Sequence, residues 1–334
     1  RRFGTLGSRG FATTLCSGID MALWDIKGKS LGRPVYDLLG GPVRDRVQLY
    51  SHVAYADDIG KAVEDARRQV KLGYTALKLD PFAPEMAKKH RRYIDGKISA
   101  QAEEHADNLM GAIRKAVGPN IELMIDAHGN FDLPTATRLC NRMLKHNLTW
   151  FEEPLQPEGN EALRQLKSNT DMPLCIGERK YTRWDFLPIL QEGLVNYIMP
   201  DICWTGGISE LRRIAALAEP YYIRISPHDA LGPVSIAAGF QVCMTTPNLY
   251  RQECLHTWFD DFKKIITPAF NVQDGCIIPS GRPGLGIELV HEEVERYKVD
   301  PSDERAMPYW WRQRKSGQGR WLKADQRTGA VAVG

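Results

Sequence analysis

The sequence lacks any long apolar run: no segment approaches the roughly 18 apolar residues that a membrane-spanning helix needs. Nor does an apolar stretch follow Arg1–Gly4, so we find no secretory signal. The seven cysteines are widely spaced and include no Cys-x-x-Cys pair, which argues against a disulfide framework and against a zinc site. We therefore expect a cytoplasmic protein with free thiols and no membrane association.

An excess of charge of one sign is also lacking over most of the chain. The 334 residues carry 44 Lys and Arg against 41 Asp and Glu, a formal net charge of +3. The excess is concentrated in residues 301–334, which hold seven basic and three acidic residues and which we interpret as a basic tail. We expect this tail to be poorly ordered or to dock onto another subunit. The nearly neutral remainder gives no electrostatic basis for binding nucleic acid.

What the sequence does have is a repeated alternation of short apolar and longer helical segments. The apolar segments, which we predict to be strands, are 47–53, 74–80, 121–127, 148–153, 173–178, 196–201, 221–228 and 248–253. Eight strands separated by helices predict an α/β fold, a parallel (β/α)8 barrel of the TIM type. The alternative is an open doubly wound sheet, but no Gly-x-Gly-x-x-Gly or P-loop motif supports its nucleotide-binding form. Ahead of the barrel, residues 12–31 predict an amphipathic helix.

Ionisable residues stand at the C-terminal ends of the predicted strands. They are Lys78, Asp80, Asp126, His128, Glu152, Glu153, Glu178, Asp201, His228 and Glu253. From strand 3 onward one recurs every 23 to 27 residues, which is once per strand–helix unit. Because the C-terminal ends of barrel strands meet at one mouth, where barrel enzymes carry their active sites, we expect these residues to converge there.

Three of the carboxylates predict a metal site. Asp126, Glu152 and Glu178 follow consecutive strands and would repel one another if they converged without a cation. Mg²⁺ prefers oxygen ligands, relieves that repulsion and leaves positions open for a substrate oxygen. A single acid at such a position is more commonly a salt-bridge partner, but three at one-unit spacing favour the metal.

Two histidines are candidates for proton transfer. Asp201 and His228 follow adjacent strands, and a carboxylate bonded to one imidazole nitrogen makes the other a competent base. His128 comes two residues after Asp126, so strand alternation would place both side chains on one face. It is a candidate fourth metal ligand or a second acid or base.

The remaining candidates are less specific. Lys78 either binds a substrate carboxylate or lowers a nearby pKa, or else it forms an ion pair with Asp80 or with a ligand acid. Glu253 could hydrogen-bond a developing enolate if it is protonated, and Glu153 is expected to support Glu152. Together with a metal, such groups suit removal of the proton α to a carboxylate, giving an ene-diolate that the metal stabilises.

The motifs that contain these residues also carry a family resemblance. They are SGIDMALWDIKGKSLGRPVYDLLGG (17–41), ALKLD (76–80), MIDAHGNF (124–131), WFEEPL (150–155), IGERKYTRWDF (176–186), MPDICWTGGISE (199–210), SPHDALGP (226–233), RQE (251–253) and PGLGIEL (283–289). With them the chain resembles the mandelate racemase-like branch of the enolase superfamily, most closely its sugar-acid dehydratases of the galactonate dehydratase type. The resemblance implies a helical C-terminal part of a capping domain at 1–45, the barrel at 46–270, a return segment packing on the cap at 271–300, and the tail.

The resemblance also implies roles. Asp126, Glu152 and Glu178 match the Mg²⁺ ligands, Asp201 and His228 the dyad, Glu253 the carboxyl that binds the substrate carboxylate or intermediate, and His128 the extra histidine of aldonic-acid dehydratases. His228 would remove the α-proton, and His128 would protonate the departing 3-hydroxyl, giving a 2-keto-3-deoxy acid. The two histidines would exchange roles for a substrate of opposite C2 configuration.

One departure from the family pattern bears on the reaction. Many relatives carry Lys-x-Lys on the second strand, whereas the second position here is Asp80, which disfavours a racemase that uses that lysine. The alternatives are an epimerase or racemase of the same superfamily and a barrel that binds metal or sugar acid without turnover. The implied partner is a small sugar acid, and the implied assembly is a homo-oligomer. Residues considered for reading the sugar's stereochemistry are His52, Arg179, Tyr181 and His256.

Overall fold

The computed structural model describes residues 9–84 and 96–296. Eight strands in these ranges run parallel in chain order: β1 (Val47–His52), β2 (Ala76–Leu79), β3 (Glu122–Asp126), β4 (Trp150–Glu152), β5 (Leu174–Ile176), β6 (Tyr197–Ile198), β7 (Arg224–Ile225) and β8 (Gln252–Glu253). Each of β1 to β6 pairs with the next, and β8 pairs with β1. The tail at 301–334 and part of the loop after β2 lie outside the described residues.

Backbone bonds between β7 and the approach to β8 close the ring. The amide of Ile225 donates to the carbonyl of Asn248 at 3.0 Å, and the amide of Tyr250 donates to the carbonyl of Ile225 at 2.8 Å. The sheet therefore forms the predicted (β/α)8 barrel rather than an open doubly wound sheet. All eight strands point their C-terminal ends toward the same mouth.

Two helices precede the first strand, and the other helices of the described residues follow in chain order. They are α1 (Phe11–Ser30), α2 (Val35–Leu38), α3 (Ile59–Lys71), α4 (Ala100–Val117), α5 (Leu133–Met143), α6 (Asn160–Ser168), α7 (Thr182–Gln191), α8 (Ile202–Thr205), α9 (Gly207–Ala218), α10 (Pro233–Cys243), α11 (Phe259–Ile265) and α12 (His291–Arg296). Side-chain caps fix several starts: Asp58, Ser99 and Asp132 accept a backbone N–H in the first turn of α3, α4 and α5. In this part of the chain no helix is long and apolar enough to cross a bilayer.

Alternation along the strands builds the floor of the mouth. Met124, Trp150 and Met199 belong to one small buried cluster, and each lies two residues before an ionisable residue of the mouth. The indole Nε1 of Trp150 donates to Glu152 Oε2 at 3.0 Å. The acids at the mouth therefore stand directly on a packed apolar layer.

The first helix confirms the predicted helical segment, and its apolar stripe lies on the exposed face. Phe11, Leu15, Ile19, Leu23 and Ile26 are 53–83% exposed, whereas the residues it buries are small or polar except for one methionine. The other face of α1 packs against α8 and α9.

Polar contacts explain this orientation of α1. Ser17 Oγ accepts the amide of Gly206 and Asp20 accepts the amide of Ser209, both at 2.9 Å. Trp24 Nε1 donates to the hydroxyl of Ser209, also at 2.9 Å. These contacts turn the polar face inward and leave the apolar stripe outside.

The chain returns to α1 after the barrel. The short strands are β9 (Ile266–Thr267), β10 (Val272–Gln273), β11 (Cys276–Ile277) and β12 (Glu288–Leu289). β11 runs antiparallel to β1, and β12 pairs with β9. The amide of Leu285 donates to Asp25 of α1 at 2.8 Å, and a Cβ at Gly28 would lie only 2.7 Å from the Cα of Gly284. The boundaries at 45, 270 and 300 stay predictions.

One polar cluster joins two helices on the outside of the barrel. Asp107 of α4 contacts Arg142 Nε at 2.9 Å, Lys145 Nζ at 2.7 Å and His146 Nε2 at 2.7 Å. Burial alone would raise the pKa of Asp107, but these hydrogen bonds outweigh it and lower the pKa to about 2. This carboxylate therefore ties α4 to the end of α5 and the turn after it.

Candidate active site

The three predicted metal-ligating carboxylates converge at the mouth. Asp126 ends β3, Glu152 ends β4 and Glu178 follows β5. Each is buried and offers an oxygen, and the three oxygens lie within 4.8 Å of one another. Burial and the neighbouring charge of Asp126 raise the pKa of Glu152 well above its ordinary value. This concentration of buried oxygen donors fits a hard divalent cation such as Mg²⁺.

Lys78 on β2 lies among these acids. Its Nζ is 2.8 Å from Glu152 Oε1, 2.8 Å from Glu253 Oε1 and 3.4 Å from Asp126 Oδ2. Burial opposes its charge, but Glu152 and Glu253 hold the pKa of Lys78 well above its ordinary value. Of the two ion pairs considered from the sequence, the structure contains the one with the predicted ligand acids and not the one with Asp80.

His228 and Asp201 form the predicted pair. His228 Nδ1 lies 2.6 Å from Asp201 Oδ2, and Nε2 lies 3.4 Å from Glu178 Oε2. Asp201 is fully buried and its other oxygen accepts the amide of Cys203 at 2.6 Å, so α8 holds the carboxylate in place. Burial opposes the charge of His228, but Glu253, Asp201 and Glu178 raise its pKa to about 10. Nε2 is therefore the nitrogen that faces the three converging carboxylates.

His128 forms a second histidine–aspartate pair. Its Nδ1 lies 2.8 Å from Asp80 Oδ2 and its Nε2 lies 3.3 Å from Asp126 Oδ2. Burial opposes its charge, but Asp126 and Asp80 raise the pKa of His128 to about 9. The expected strand alternation is wrong here, because β3 ends at Asp126 and His128 has a φ of 48°. A left-handed turn, held by the His128 amide on Asp126 Oδ1 at 2.9 Å, brings the two side chains together instead.

Glu253 ends β8 and is surrounded by donors. Oε1 contacts Lys78 Nζ at 2.8 Å and His52 Nε2 at 2.5 Å, while Oε2 accepts the amide of Asp229 at 3.1 Å. Burial opposes ionisation, but Lys78 and His228 hold the pKa of Glu253 well below its ordinary value. The structure therefore favours an ionised, accepting Glu253 over the protonated form considered from the sequence.

Comparison with known proteins agrees with this geometry. Residues 61–294 match the family described as Enolase C-terminal domain-like, and residues 5–40 match the mandelate racemase / muconate lactonizing enzyme N-terminal domain. The chain belongs to the mandelate racemase/muconate lactonizing enzyme family. The predicted superfamily is confirmed.

Among curated members, the chain is 36% identical to the D-gluconate dehydratase of Thermoproteus tenax over 89% of this chain and 59% of that enzyme. It is 34% identical to the D-galactonate dehydratase of Pectobacterium atrosepticum over 85% of this chain and 74% of that enzyme. The solved structure of the mandelate racemase/muconate lactonizing enzyme-like protein from Rubrobacter xylanophilus superposes with a TM-score of 0.81 at 34% identity, covering 92% of this chain and 81% of that one. The chain thus spans less than two thirds of the Thermoproteus enzyme.

Within this member of the family, Glu153 does not support Glu152 as expected. Its carboxylate contacts the guanidinium of Arg179, whose Nε lies 3.3 Å from Glu178 Oε1. Glu153 has a φ of 35°, which turns it away from the direction that strand alternation predicts. Burial and repulsion from Glu178 raise its pKa to about 7 in spite of Arg179. The pair of Glu153 and Arg179 therefore lies beside the predicted ligand carboxylates and is not one of them.

The residues considered for stereochemistry separate in space. His52 reaches the mouth and contacts Glu253, whereas His256 Nδ1 is bonded to the hydroxyl of Tyr74 at 3.0 Å. Tyr181 lines a surface pocket together with Arg9 and Trp184. Sequence reasoning missed the role of Asp80 as the partner of His128, although the order of β2 and β3 as neighbours was an available signal.

Proposed function

We propose that this chain is a Mg²⁺-dependent dehydratase, a hydro-lyase that converts a sugar acid such as galactonate or gluconate into a 2-keto-3-deoxy acid. The observation that carries the proposal is the presence of two histidine–aspartate pairs beside one cluster of three buried carboxylates. Dehydration of an aldonate needs one group to remove a proton and another to donate one to the departing hydroxyl. The names of the relatives, D-gluconate and D-galactonate dehydratase, support this substrate class.

Asp126, Glu152 and Glu178 would hold the cation. When bound, Mg²⁺ supplies positive charge next to the substrate carboxylate and so acidifies the proton on the adjacent carbon. With Glu178 engaged as a ligand, less of its charge acts on His228, which favours the neutral imidazole that a base requires.

His228 takes the proton from C2. Asp201 occupies Nδ1, so the proton is received at Nε2, and the buried carboxylate stabilises the imidazolium that results. The electron pair of the broken C2–H bond is delocalised into the substrate carboxylate, where Lys78 offsets the developing negative charge. Glu253 is held in place by its three donors, one of which is Lys78, and so lies beside the same part of the mouth.

His128 donates a proton to the 3-hydroxyl as the C3–O bond breaks. Asp80 on Nδ1 stabilises the imidazolium form and leaves Nε2 as the donor toward the mouth. The electron pair from C2 forms the C2=C3 double bond and water leaves. The resulting enol then gains a proton at C3 and loses the proton of its C2 hydroxyl, which gives the 2-keto-3-deoxy product. For a substrate of opposite C2 configuration the two histidines exchange roles.

The same pair of histidines favours a second candidate function. Two imidazoles that face one cluster could remove and return the C2 proton from opposite sides, which is epimerisation or racemisation. That reaction loses no water, so its product distinguishes it from dehydration.

Proton NMR in D₂O with Mg²⁺ and a panel of aldonic and aldaric acids tests the proposal. Growth of a 3-deoxy methylene signal is the expected result and names the substrate at the same time. Loss of the C2 proton without that signal would indicate an epimerase, and silence across the panel with Mg²⁺ still bound would indicate a binding barrel without turnover. H228N is the matched control, because it should abolish C2 exchange while leaving Mg²⁺ binding in place.

We further propose that the protein works in the cytoplasm, where its seven free cysteines would stay reduced. Assembly into a homo-oligomer stays a prediction from the family resemblance, as does the expectation that no nucleic acid binds.

A further inference from the structure

The carboxylate of Glu253 has donors on both of its oxygens, and they differ in accessibility. Lys78 and the amide of Asp229 are buried under the mouth, and the side chain of Glu253 itself is 1% exposed. His52 is the exception, since its side chain is 28% exposed while its Nε2 lies 2.5 Å from Glu253 Oε1. The imidazole therefore stands between the mouth and the carboxylate.

The scaffold holds His52 in this position from several sides. β1 and β8 pair with Tyr50 opposite Glu253, which brings the end of β1 alongside that carboxylate. The side chain of Gln69 donates to the carbonyl of His52, and the amide of Ala54 donates to Asp65 at 2.9 Å. The ring of His52 stacks on that of Tyr50 with centroids 6.0 Å apart. Two buried side chains of α3 thus fix the backbone, and an aromatic ring supports the imidazole.

The protonation states of His52 and Glu253 show which of the two is the donor in their hydrogen bond. Burial lowers the pKa of His52 despite the nearby charge of Glu253, so the imidazole is neutral and carries one N–H. Glu253 is ionised and can only accept. The hydrogen therefore lies on Nε2, and the bond is one from a neutral donor to a charged acceptor, which is stronger than a neutral pair.

We propose that His52 is a positioning residue for Glu253, donating from Nε2 to Oε1 and so aiming the carboxylate into the mouth. Without this donor, Oε1 is left with Lys78, which also contacts Glu152 and would draw the carboxylate toward the metal-ligating acids. In this proposal His52 does not contact the reacting atoms. It affects turnover only through the position of Glu253. The kinetic part of this inference rests on the proposed dehydratase function.

Three variants test the role in catalysis. H52F keeps an aromatic ring over Tyr50 but lacks the donor, and H52Q replaces the donor with an amide N–H. We expect H52F to lower kcat about 10- to 100-fold, the effect of losing one hydrogen bond to a charged group, with little change in KM. H52Q should recover to within about fivefold of the wild type, as one retained hydrogen bond predicts.

A double-mutant cycle with E253Q asks whether the effect passes through Glu253. If it does, H52F costs less than about twofold in the E253Q background, because contacting residues are not additive. C2-proton exchange followed by NMR over days gives the rates even where turnover is slow. The proposal would be overturned if the kcat losses of H52F and E253Q simply multiplied in the double variant. Equal kcat losses in H52F and H52Q would overturn it as well.

A spectroscopic readout keeps the inference testable if the chain turns over no acid on the panel. In ¹⁵N-histidine-labelled protein, which has eight histidines, H52F identifies the His52 signals by their disappearance. The wild type should show the Nε2–H tautomer, with a downfield proton that moves on E253Q substitution. A His52 signal that is indifferent to E253Q would refute the contact, whereas inactivity of the wild type alone would refute only the proposed function.

Discussion

Replacing Lys78 with methionine tests the electrostatics of the mouth most directly. The side chain of this lysine is 1% exposed and its Nζ lies within 3.4 Å of three carboxylates, each of which would be left buried beside the others. Removing one partner of a buried ion pair typically costs about 3–5 kcal/mol, because the remaining charge stays desolvated. We therefore expect K78M to lower the free energy of unfolding by about 3–5 kcal/mol in the absence of divalent cations.

Lys29 provides a matched control for that substitution. It also contacts two carboxylates, Asp25 and Glu288, both at 2.8 Å, but its side chain is 35% exposed. Exposed pairs of this kind contribute about 0–1 kcal/mol, so K29M should change the free energy of unfolding by no more than that.

The stability contribution of Lys78 is fully present at pH 7. Because the pKa of Lys78 is raised in the folded state, its charge stabilises the fold in full below the ordinary lysine pKa of about 10.4.

Urea unfolding followed by tryptophan fluorescence measures both variants, and titration calorimetry with Mg²⁺ supplies an independent result. Removing the positive charge beside Asp126 and Glu152 leaves those oxygens more negative, so Mg²⁺ should bind K78M at least as tightly as the wild type. Added Mg²⁺ should then restore part of the lost stability, since it binds only the folded state. Equal losses in K78M and K29M, or Mg²⁺ binding that disappears in K78M, would refute this account of the site.

Three further substitutions have expected outcomes. D201N should lower kcat by about 10³- to 10⁴-fold with the fold intact, because the amide no longer fixes the base form of His228; unchanged turnover would contradict the dyad. D80N should lower dehydration by about 10²-fold, the low end for a general acid, while C2 exchange by His228 persists; loss of both would mean that Asp80 acts on more than His128. D107N should lower the free energy of unfolding by up to about 2 kcal/mol at pH 7. Because the pKa of Asp107 is lowered in the folded state, its carboxylate stabilises the fold above about pH 4, and this contribution is lost toward pH 2. Chemical unfolding should therefore give free energies of unfolding for D107N and the wild type that converge as the pH falls across that range.

The convergence of the site was predictable because it depends on a property that sequence records well. An ionisable residue recurs once per strand–helix unit, always at the C-terminal end of the strand. Parallel strands bring those ends together. Asp126, Glu152 and Glu178 therefore meet without any knowledge of side-chain conformation. The dyad of Asp201 and His228 follows from the same rule, since their strands are neighbours.

Partner choice was not predictable to the same extent. Strand alternation gives the face on which a side chain starts but not where a long side chain ends, so Lys78 passes Asp80 and reaches Glu152 and Glu253. The rule also stops at the end of the strand, where His128 adopts a positive φ. The apolar stripe of α1 fails for another reason: periodicity shows that a stripe exists, while the polar contacts of the opposite face decide which side is buried.

The difference in exposure between the two histidines gives each a reason for its proposed role. The His228 side chain is 11% exposed and is fixed by a fully buried carboxylate, whereas the His128 side chain is 47% exposed and its partner Asp80 is 12% exposed. A buried, rigid site favours a base that removes a weakly acidic carbon proton, because the surrounding polar groups need not reorganise as the imidazolium forms. An acid that is consumed in each turnover must regain its proton from water, which an exposed imidazole does readily. The pair that the sequence placed after β6 and β7 is thus suited to proton abstraction, and the pair formed by Asp80 and His128 is suited to release of the hydroxyl.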